Sequence, residues 1–294
     1  MHRHPRGLLE IGRRDCLVMC CAAGALAMGF TTFGCTDTGK ISADHAKVHA
    51  QFLLKAAETD VAELRRGLPQ GSKHLVEAFK EGVPDGETAR KALETARNKV
   101  QDLRVAKSTF FALTDKDGTV IRNDQDQDLM VGKNMFRAYP ALKNVLTGSM
   151  VETRGSMPEA AGVRGKPDAQ WVVGAPVLVS GKPEAAYVSG WSWSAYAYRL
   201  ETALRGDVLS HTKEGGKVPL LYVYVIVDGS AYGAPISPTV NGDAILKQKP
   251  LEKASAAAPF SMPLEIEGRQ FGLAVVPLAL IGKDAGIAVL RSET

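Results

Sequence analysis

Apolar and polar positions along this chain change period twice. From residue 42 to about 107 the apolar positions recur near every 3.6 residues, with Val48, Phe52, Leu53, Ala56, Ala57, Val61 and then Leu64 on one stripe, the spacing of an amphipathic helix. Gly67-Leu68-Pro69-Gln70-Gly71 predicts a break, the run 75–79 a short second helix, and Pro84-Asp85-Gly86 the start of a third. That third helix carries Ala89, Ala92, Leu93, Ala96, Val100, Leu103 and Val105. Asp85 stands where an N-cap accepts from free N–H groups, and Glu87 meets the positive end of the helix dipole. The many Lys, Arg and Glu residues of this stretch read as a solvated helix face.

At Ser108 the period drops to two. Phe110, Ala112 and Thr114 alternate with Phe111 and Leu113, a strand that ends in the tight turn Asp115-Lys116-Asp117-Gly118 and returns over 119–122, Gly supplying the positive φ. A helical stretch opens at Gly132-Lys133-Asn134-Met135-Phe136, restarts at Pro140 and stops at Gly148, with Pro inside the start and Gly past the end. Strands over 150–156, 169–179 and 184–194 and a helix over 195–204 complete this region. The order then recurs more briefly: a strand over 220–228, a return over 232–235, a helical stretch over 243–253, and strands over 260–266, 269–278 and 285–290. The expected architecture is α+β, N-terminal helices followed by two PAS-like antiparallel-sheet subdomains. Its divisions are 1–34 leader, 35–105 helical region, 106–205 first sheet domain, 206–217 linker and 218–294 second, smaller sheet domain.

Composition narrows the class. With 294 residues, 45% hydrophobic and 23% charged, the chain has the mix of a folded globular protein. No apolar run of 18 residues follows Phe33, which excludes a polytopic helical membrane protein. The formal charge is +4. Part of that excess belongs to Arg3, Arg6, Arg13 and Arg14, set against Glu10 and Asp15, so the remainder is near neutral and gives no footprint for nucleic acid.

Residues 1–34 read as an export signal: a basic stretch to Arg14, then an apolar run over 16–30 that is too short to span a bilayer as a helix. Arg13-Arg14-Asp15-Cys16-Leu17 resembles the twin-arginine export motif, with Cys16 in the position usually held by an aromatic residue. Thr32-Phe33-Gly34-Cys35 resembles a bacterial lipobox, in which the cysteine receives a diacylglycerol. Thr32 replaces the usual Leu and Phe33 is bulky for its place; a simple cleaved signal or an uncleaved anchor, with Cys35 incidental, is the alternative. Cys16, Cys20 and Cys21 fall within the leader, so the mature chain keeps Cys35 alone and no internal disulfide is expected. The expected location is the periplasmic face of a bacterial membrane.

The run Phe110-Phe-Ala-Leu-Thr-Asp-Lys-Asp-Gly-Thr-Val-Ile-Arg-Asn123, followed by Val131-Gly-Lys-Asn-Met-Phe136, resembles the core of a Cache domain. Ala175-Pro176-Val177 and Ala186-Tyr187-Val188-Ser189-Gly190 resemble its two closing strands. The resemblance covers residues 106–205, and 218–292 by element order, implying a double Cache arrangement. Cache domains are extracytoplasmic PAS-like modules that bind small ligands in chemoreceptors, sensor kinases and cyclases. The resemblance thus implies a small-molecule ligand and, because neither a second membrane helix nor a signalling domain follows here, a separate signalling partner protein.

In such modules the ligand lies between the sheet and the helix–loop segment covering it. On that layout the cover is 135–146, which brings Arg137 and Tyr139 to the pocket; Arg137 offers a planar fork suited to carboxylate or phosphate. Trp171 and Val173 share one face of their strand, and Tyr187, Ser189, Trp191 and Trp193 one face of the next. The expected ligand-binding residues are Arg137, Tyr139, Trp171, Tyr187, Ser189 and Trp191, against the plainer readings of core packing for the aromatics and a solvated Arg137. Asp124, Asp126 and Asp128 fail as an EF-hand because Leu129 and Met135 occupy the Gly and Glu positions, leaving a solvated loop as the simpler expectation. His45 and His49, four apart, have the spacing of half a metal site but no adjacent Glu or Cys, and an exposed helix surface is expected. No metal or cofactor is expected; Cys-x-x-Cys-His is absent.

Enzyme signatures are missing. The chain has no Gly-x-Ser-x-Gly, P-loop or His-Glu-x-x-His, and beyond residue 74 only His211 would serve a triad. Three function classes therefore stand: a lipid-anchored ligand-binding sensor, a structural or assembly lipoprotein using the PAS-like fold for protein contacts, and an enzyme without a recognisable motif. Cys35→Ala is expected to move the protein from the membrane pellet to the soluble fraction. Each buried CH2 of the two acyl chains contributes about 0.8 kcal/mol, and two chains hold stably where one is marginal. Retention of the variant in the pellet would refute the lipobox.

Overall fold

A computed structural model describes residues 33–158 and 167–293. The expected leader up to Thr32 and the side chain of Cys35 lie outside the described residues. Helix α1 (Phe33–Leu75) is 43 residues long, ~65 Å at 1.5 Å per residue. Its buried stripe runs through Ala46, Ala50, Leu53, Ala57, Val61, Leu64 and Leu68. Val48 and Phe52, counted on the apolar stripe from the sequence, instead face outward at 63% and 38% exposure. Small alanines take the inner face because sheets pack closely against it.

The predicted break at 67–71 is absent, and the helix continues through Pro69. A Cβ at Gly67 would overlap Leu103, and one at Gly71 would overlap Leu103 and Tyr187. The two glycines therefore admit close packing instead of ending the helix. Burial of Leu64, Leu68 and Leu75 holds the turn that Pro69 weakens. Helix α2 (Gly86–Lys99) starts where expected: Asp85 accepts from the N–H of Glu87 at 2.9 Å and of Thr88 at 2.8 Å. A one-turn helix, α3 (Gln101–Val105), follows.

The first sheet contains β1 (Phe110–Asp115), β2 (Val120–Asn123), β3 (Val151–Pro158), β4 (Pro167–Val179) and β5 (Lys182–Ser192), in the order β2-β1-β5-β4-β3. Its pairings are antiparallel. Between β2 and β3 lie α4 (Met135–Ala138) and a 3-10 segment, Pro140–Thr147, which stops at Gly148 with φ 92°. Helix α5 (Trp193–His211) leaves β5 directly and runs seven residues past its expected end. Leu204 and Val208 stay buried there, and Arg205 donates to the Leu221 carbonyl at 2.8 Å. The second sheet, β6 (Leu220–Val227), β7 (Ser230–Gly233), β8 (Phe260–Ile266), β9 (Arg269–Pro277) and β10 (Gly286–Ser292), repeats the order as β7-β6-β10-β9-β8. Helix α6 (Thr239–Lys247) lies between β7 and β8. The chain is α+β, a long helix followed by two five-stranded antiparallel sheets.

Strand alternation divides each sheet between two cores. Phe111, Leu113, Trp171 and Tyr187 of the first sheet join Val223, Val225, Val276 and Ile287 of the second in one cluster with α1, α2 and α5. The opposite faces are separate: Phe110, Val172 and Val188 meet Met135, Tyr139 and Leu142, while Ile226, Leu273 and Ala288 meet Ile245. Several charges placed on a solvated face are cross-links. Arg65 grips Glu152 through Nε and Nη2 at 2.7 and 2.9 Å and also donates to the Leu280 carbonyl. Arg154 of β3 bonds Asp284 at 3.0 Å. His49 is half-buried with Nε2 2.7 Å from Arg291, and His45 lies 3.1 Å from Glu293. Burial first, then Arg291, lowers the His49 pKa to about 4, so a neutral ring accepts from Arg291 and ties β10 to α1.

The tightest of the described glycine sites lies where α1 crosses β9. A Cβ on Gly272 would overlap the backbone of Ser42 and Ala43, and backbone does not rotate away. Gly272→Ala is expected to cost ~3 kcal/mol in urea unfolding. Gly206→Ala, on an exposed turn of α5 with open space around it, is expected to stabilise by about 0.5–1 kcal/mol. Equal effects at the two positions would refute the close crossing.

Candidate functional site

The structure does not bring the six expected binding residues together. Tyr187, Ser189 and Trp191 of β5 point toward α1, as does Trp171 of β4, which pairs with Trp191 across the strands with ring centroids 4.7 Å apart. Tyr139 lies on the opposite face, and Arg137 is exposed with no ion pair among the described residues. The aromatics do share one face, as their period of two requires. The cover segment packs on the other face, over Val172 and Val188, so the sheet stands between Tyr139 and the tryptophans. The pocket expected from all six is therefore not formed. Ser189 Oγ donates to the Phe110 carbonyl at 2.9 Å and lies 2.7 Å from Ser108 Oγ, a strand-locking role. The Tyr187 hydroxyl is buried without a partner.

On the covered face a polar chain crosses an otherwise apolar surface. The Tyr139 hydroxyl donates to Gln170 Oε1 at 2.7 Å, Gln170 Nε2 donates to Asp168 at 2.8 Å, and Ser192 Oγ donates to Asp168 at 2.7 Å. All four residues are buried. Burial first, then the Asp168 charge, raises the Tyr139 pKa well above its ordinary value, so the hydroxyl stays a donor. Asp168 and Gln170 sit two apart on one strand. That polar pair within an apolar run was a readable signal that sequence reasoning missed.

On the other face, at the end of β5, Trp191 stacks on Tyr196 with centroids 3.9 Å apart and planes 2° from parallel. The Trp191 indole N–H donates to the Lys107 carbonyl. Asp60 accepts from the Tyr196 hydroxyl at 2.9 Å and from Arg199 at 2.8 Å. Burial pushes the Asp60 carboxyl up to about 6, against the opposing pull of Arg199 and Tyr196. Asp60 interrupts the apolar stripe of α1 between Ala57 and Val61, which is its sequence signal. A further cleft of about 400 Å³ opens on the second sheet beside Tyr224, Tyr232, Ser237 and Asp243.

The acidic run is not a solvated loop. Asp124 keeps only 7% of its side chain exposed and is bonded to Arg97 at 2.8 Å and to the Phe111 N–H at 2.8 Å. Asp128 accepts from the N–H groups of Asn123, Met130 and Val131. Asp126 alone is open, beside Arg90 at 3.0 Å. Two of the three carboxylates thus fix the loop after β2, and no group of three or more His, Cys, Asp or Glu among the described residues is placed to hold a metal. No described helix is long and apolar enough to cross a membrane.

No protein-family model matches this chain, and no curated sequence does. Solved structures do. It is similar to a methyl-accepting chemotaxis protein at 16% identity and TM-score 0.54, over 87% of this chain and 98% of that one. The fold is Cache-like. A domain of a sensory box/GGDEF family protein from Vibrio parahaemolyticus matches equally, at 8% identity and TM-score 0.54 over 87% and 98%. An extracellular ligand binding receptor from Desulfohalobium retbaense gives 14% identity and TM-score 0.51 over 82% of this chain; the match spans 39% of that receptor. The neighbours are receptor and sensor domains rather than enzymes.

Asp60 generates a pH signature. Between pH ~4 and ~6 the folded carboxyl holds a proton that the unfolded one has lost, so stability falls as pH rises through this window and is flat above it. The fall is ~2 kcal/mol for a shift of this size. His49 acts oppositely: unfolded it binds a proton below ~6.5 that the folded ring refuses until about 4, so its contribution rises with pH. The stability difference between wild type and Asp60→Asn cancels the His49 effect and is expected to fall from pH 4 to 6.5. Parallel unfolding curves across that range would overturn the assignment.

Proposed function

We propose that this chain is an exported, lipid-anchored sensor that binds a small molecule on the covered face of its first sheet and signals through a partner protein. The buried polar chain Tyr139–Gln170–Asp168–Ser192 carries the reading. Burying four hydrogen-bonding side chains in an apolar layer costs stability relative to apolar replacements, and a few placed polar groups on an apolar wall are what a small-molecule site uses. The twin-arginine-like leader and the lipobox-like Cys35 support export and anchoring. The likeness to an extracellular receptor and a chemotaxis protein supports sensing. Arg137, exposed on the same cover segment, would meet a ligand's anionic end at the rim.

A thermal-shift screen against organic acids, amino acids and polyamines tests this. A ligand at a hundred times its dissociation constant adds ~2.7 kcal/mol, several degrees for a domain of this size. Tyr139→Phe keeps the ring and removes the hydroxyl; it is expected to lose most of the shift, and Arg137→Ala part of it if the ligand is anionic. A hit whose shift survives Tyr139→Phe in full would overturn the site. A folded chain that responds to no compound would favour the assembly-lipoprotein reading.

A further inference from the structure

On the face of the first sheet away from its cover, α2, α3, β5 and α5 enclose a cleft of about 340 Å³. Four cations line it: Arg97, Arg104, Lys107 and Arg199; no acidic side chain does. Two of the four are balanced from behind, Arg97 by Asp124 at 2.8 Å and Arg199 by Asp60 at 2.8 Å. Arg104 and Lys107 are exposed, and neither makes an ion pair among the described residues. Like charges gathered in this way repel one another unless an anion joins them.

Two further observations belong to the walls of the same cleft. Arg199 uses only Nη2 on Asp60. Its Nε and Nη1 are buried and have no hydrogen-bond partner, a costly state for charged donors. Helix α5 also begins here, with Ala195 and Tyr196 of its first turn lining the cleft. Its N-cap residue Ser192 makes no capping bond, and the first turn has no acidic residue, because the Ser192 hydroxyl is already bonded to Asp168. A 19-residue helix therefore presents uncapped N–H groups and the positive end of its dipole to a site ringed by cations.

We propose that this cleft is a second, separate binding site, for a small soluble molecule carrying two or more oxyanion groups, either a polycarboxylate or a phosphate. Arg199 supplies positive charge from below, with Nε–H and Nη1–H on separate sides of its planar head still without partners. Arg104 and Lys107 close on the outer anionic group, and the start of α5 adds backbone donors. The site lies across the sheet from Tyr139, so its occupancy is independent of the covered face. It also joins α1, through Asp60, to the strand and helix that lead to the second sheet.

The test is calorimetric titration of the intact protein at low salt and neutral pH with citrate and, separately, inorganic pyrophosphate; sodium chloride at matched ionic strength is the reference. Saturable binding of at least one probe is expected, at least tenfold weaker in the Arg104→Ala/Lys107→Ala double variant and weakened by added salt. Both replaced side chains are exposed, so the variant should fold as wild type, which its melting curve checks. Arg199→Lys, which keeps the charge but removes the planar head and its unpartnered N–H groups, is expected to weaken binding too. Arg269→Ala, an exposed cation on the second sheet, and Tyr139→Phe, on the covered face, should leave it unchanged. Binding of citrate alone would assign the carboxylate class, and of pyrophosphate alone the phosphate class. Absence of saturable binding by either probe, affinity equal in the double variant and Arg269→Ala, or loss of binding in Tyr139→Phe instead would overturn the proposal.

Discussion

One long helix has to be covered along its whole buried stripe, and everything else in this fold follows from that. An apolar stripe from Ala46 to Leu68 is longer than a single five-stranded sheet of this width covers, and leaving half of it in water would forfeit ~25 cal/mol for each Å² exposed. Two sheets with the same strand order answer the requirement, each laying one face on α1. The crossing at β9 is close enough to demand glycine at position 272, and the crossing over α3 and β5 demands it at 67 and 71.

That shared wall separates the roles of the two sheet faces. The face on α1 holds the large aromatics, Trp171, Tyr187 and Trp191, and its polar groups lie at the edge, where Asp60, Tyr196 and Arg199 meet. The face away from α1 is covered by a short helix and a 3-10 segment, and there the polar chain through Gln170 runs beneath Tyr139. A covering segment of a dozen residues makes far fewer contacts than a 43-residue helix does, and segments with few buried contacts open most easily. The covered face is therefore where a ligand would enter at least cost, whereas the α1 face offers only its rim.

The link between sheets is electrostatic as well as apolar. Arg65 of α1 holds β3 and the Leu280 carbonyl together, and Arg154 of β3 reaches Asp284 just before β10. Partly buried, bidentate arginine pairs of this kind fix geometry better than exposed lysine pairs do. A ligand that shifted β3 would pull on these bonds, which gives the two halves a physical route for exchanging small movements.

Local chemistry was legible in the chain. Asp85 as a cap, Pro140 and Gly148 as the restart and stop of the helical stretch after β2, the hairpin at Asp115–Gly118 and the recurrence of the element order all follow from short-range backbone rules, so periodicity and turn residues sufficed to place them. The α+β class and the common face of Trp171, Tyr187 and Trp191 followed equally. What the chain alone left open was which face of a strand meets which neighbour. Alternation gives two faces without naming them, so Arg137 and Tyr139 were joined to tryptophans that stand behind the sheet. Pro69 read as a break because the contacts that carry the helix through it, Leu103 and Tyr187 over two glycines and the burial of Leu64, Leu68 and Leu75, are tertiary. Asp124, Asp128, Arg65 and His49 read as solvent-facing because their partners lie 13 to 242 residues away or on backbone N–H groups, and pairings at such distances are set by tertiary structure.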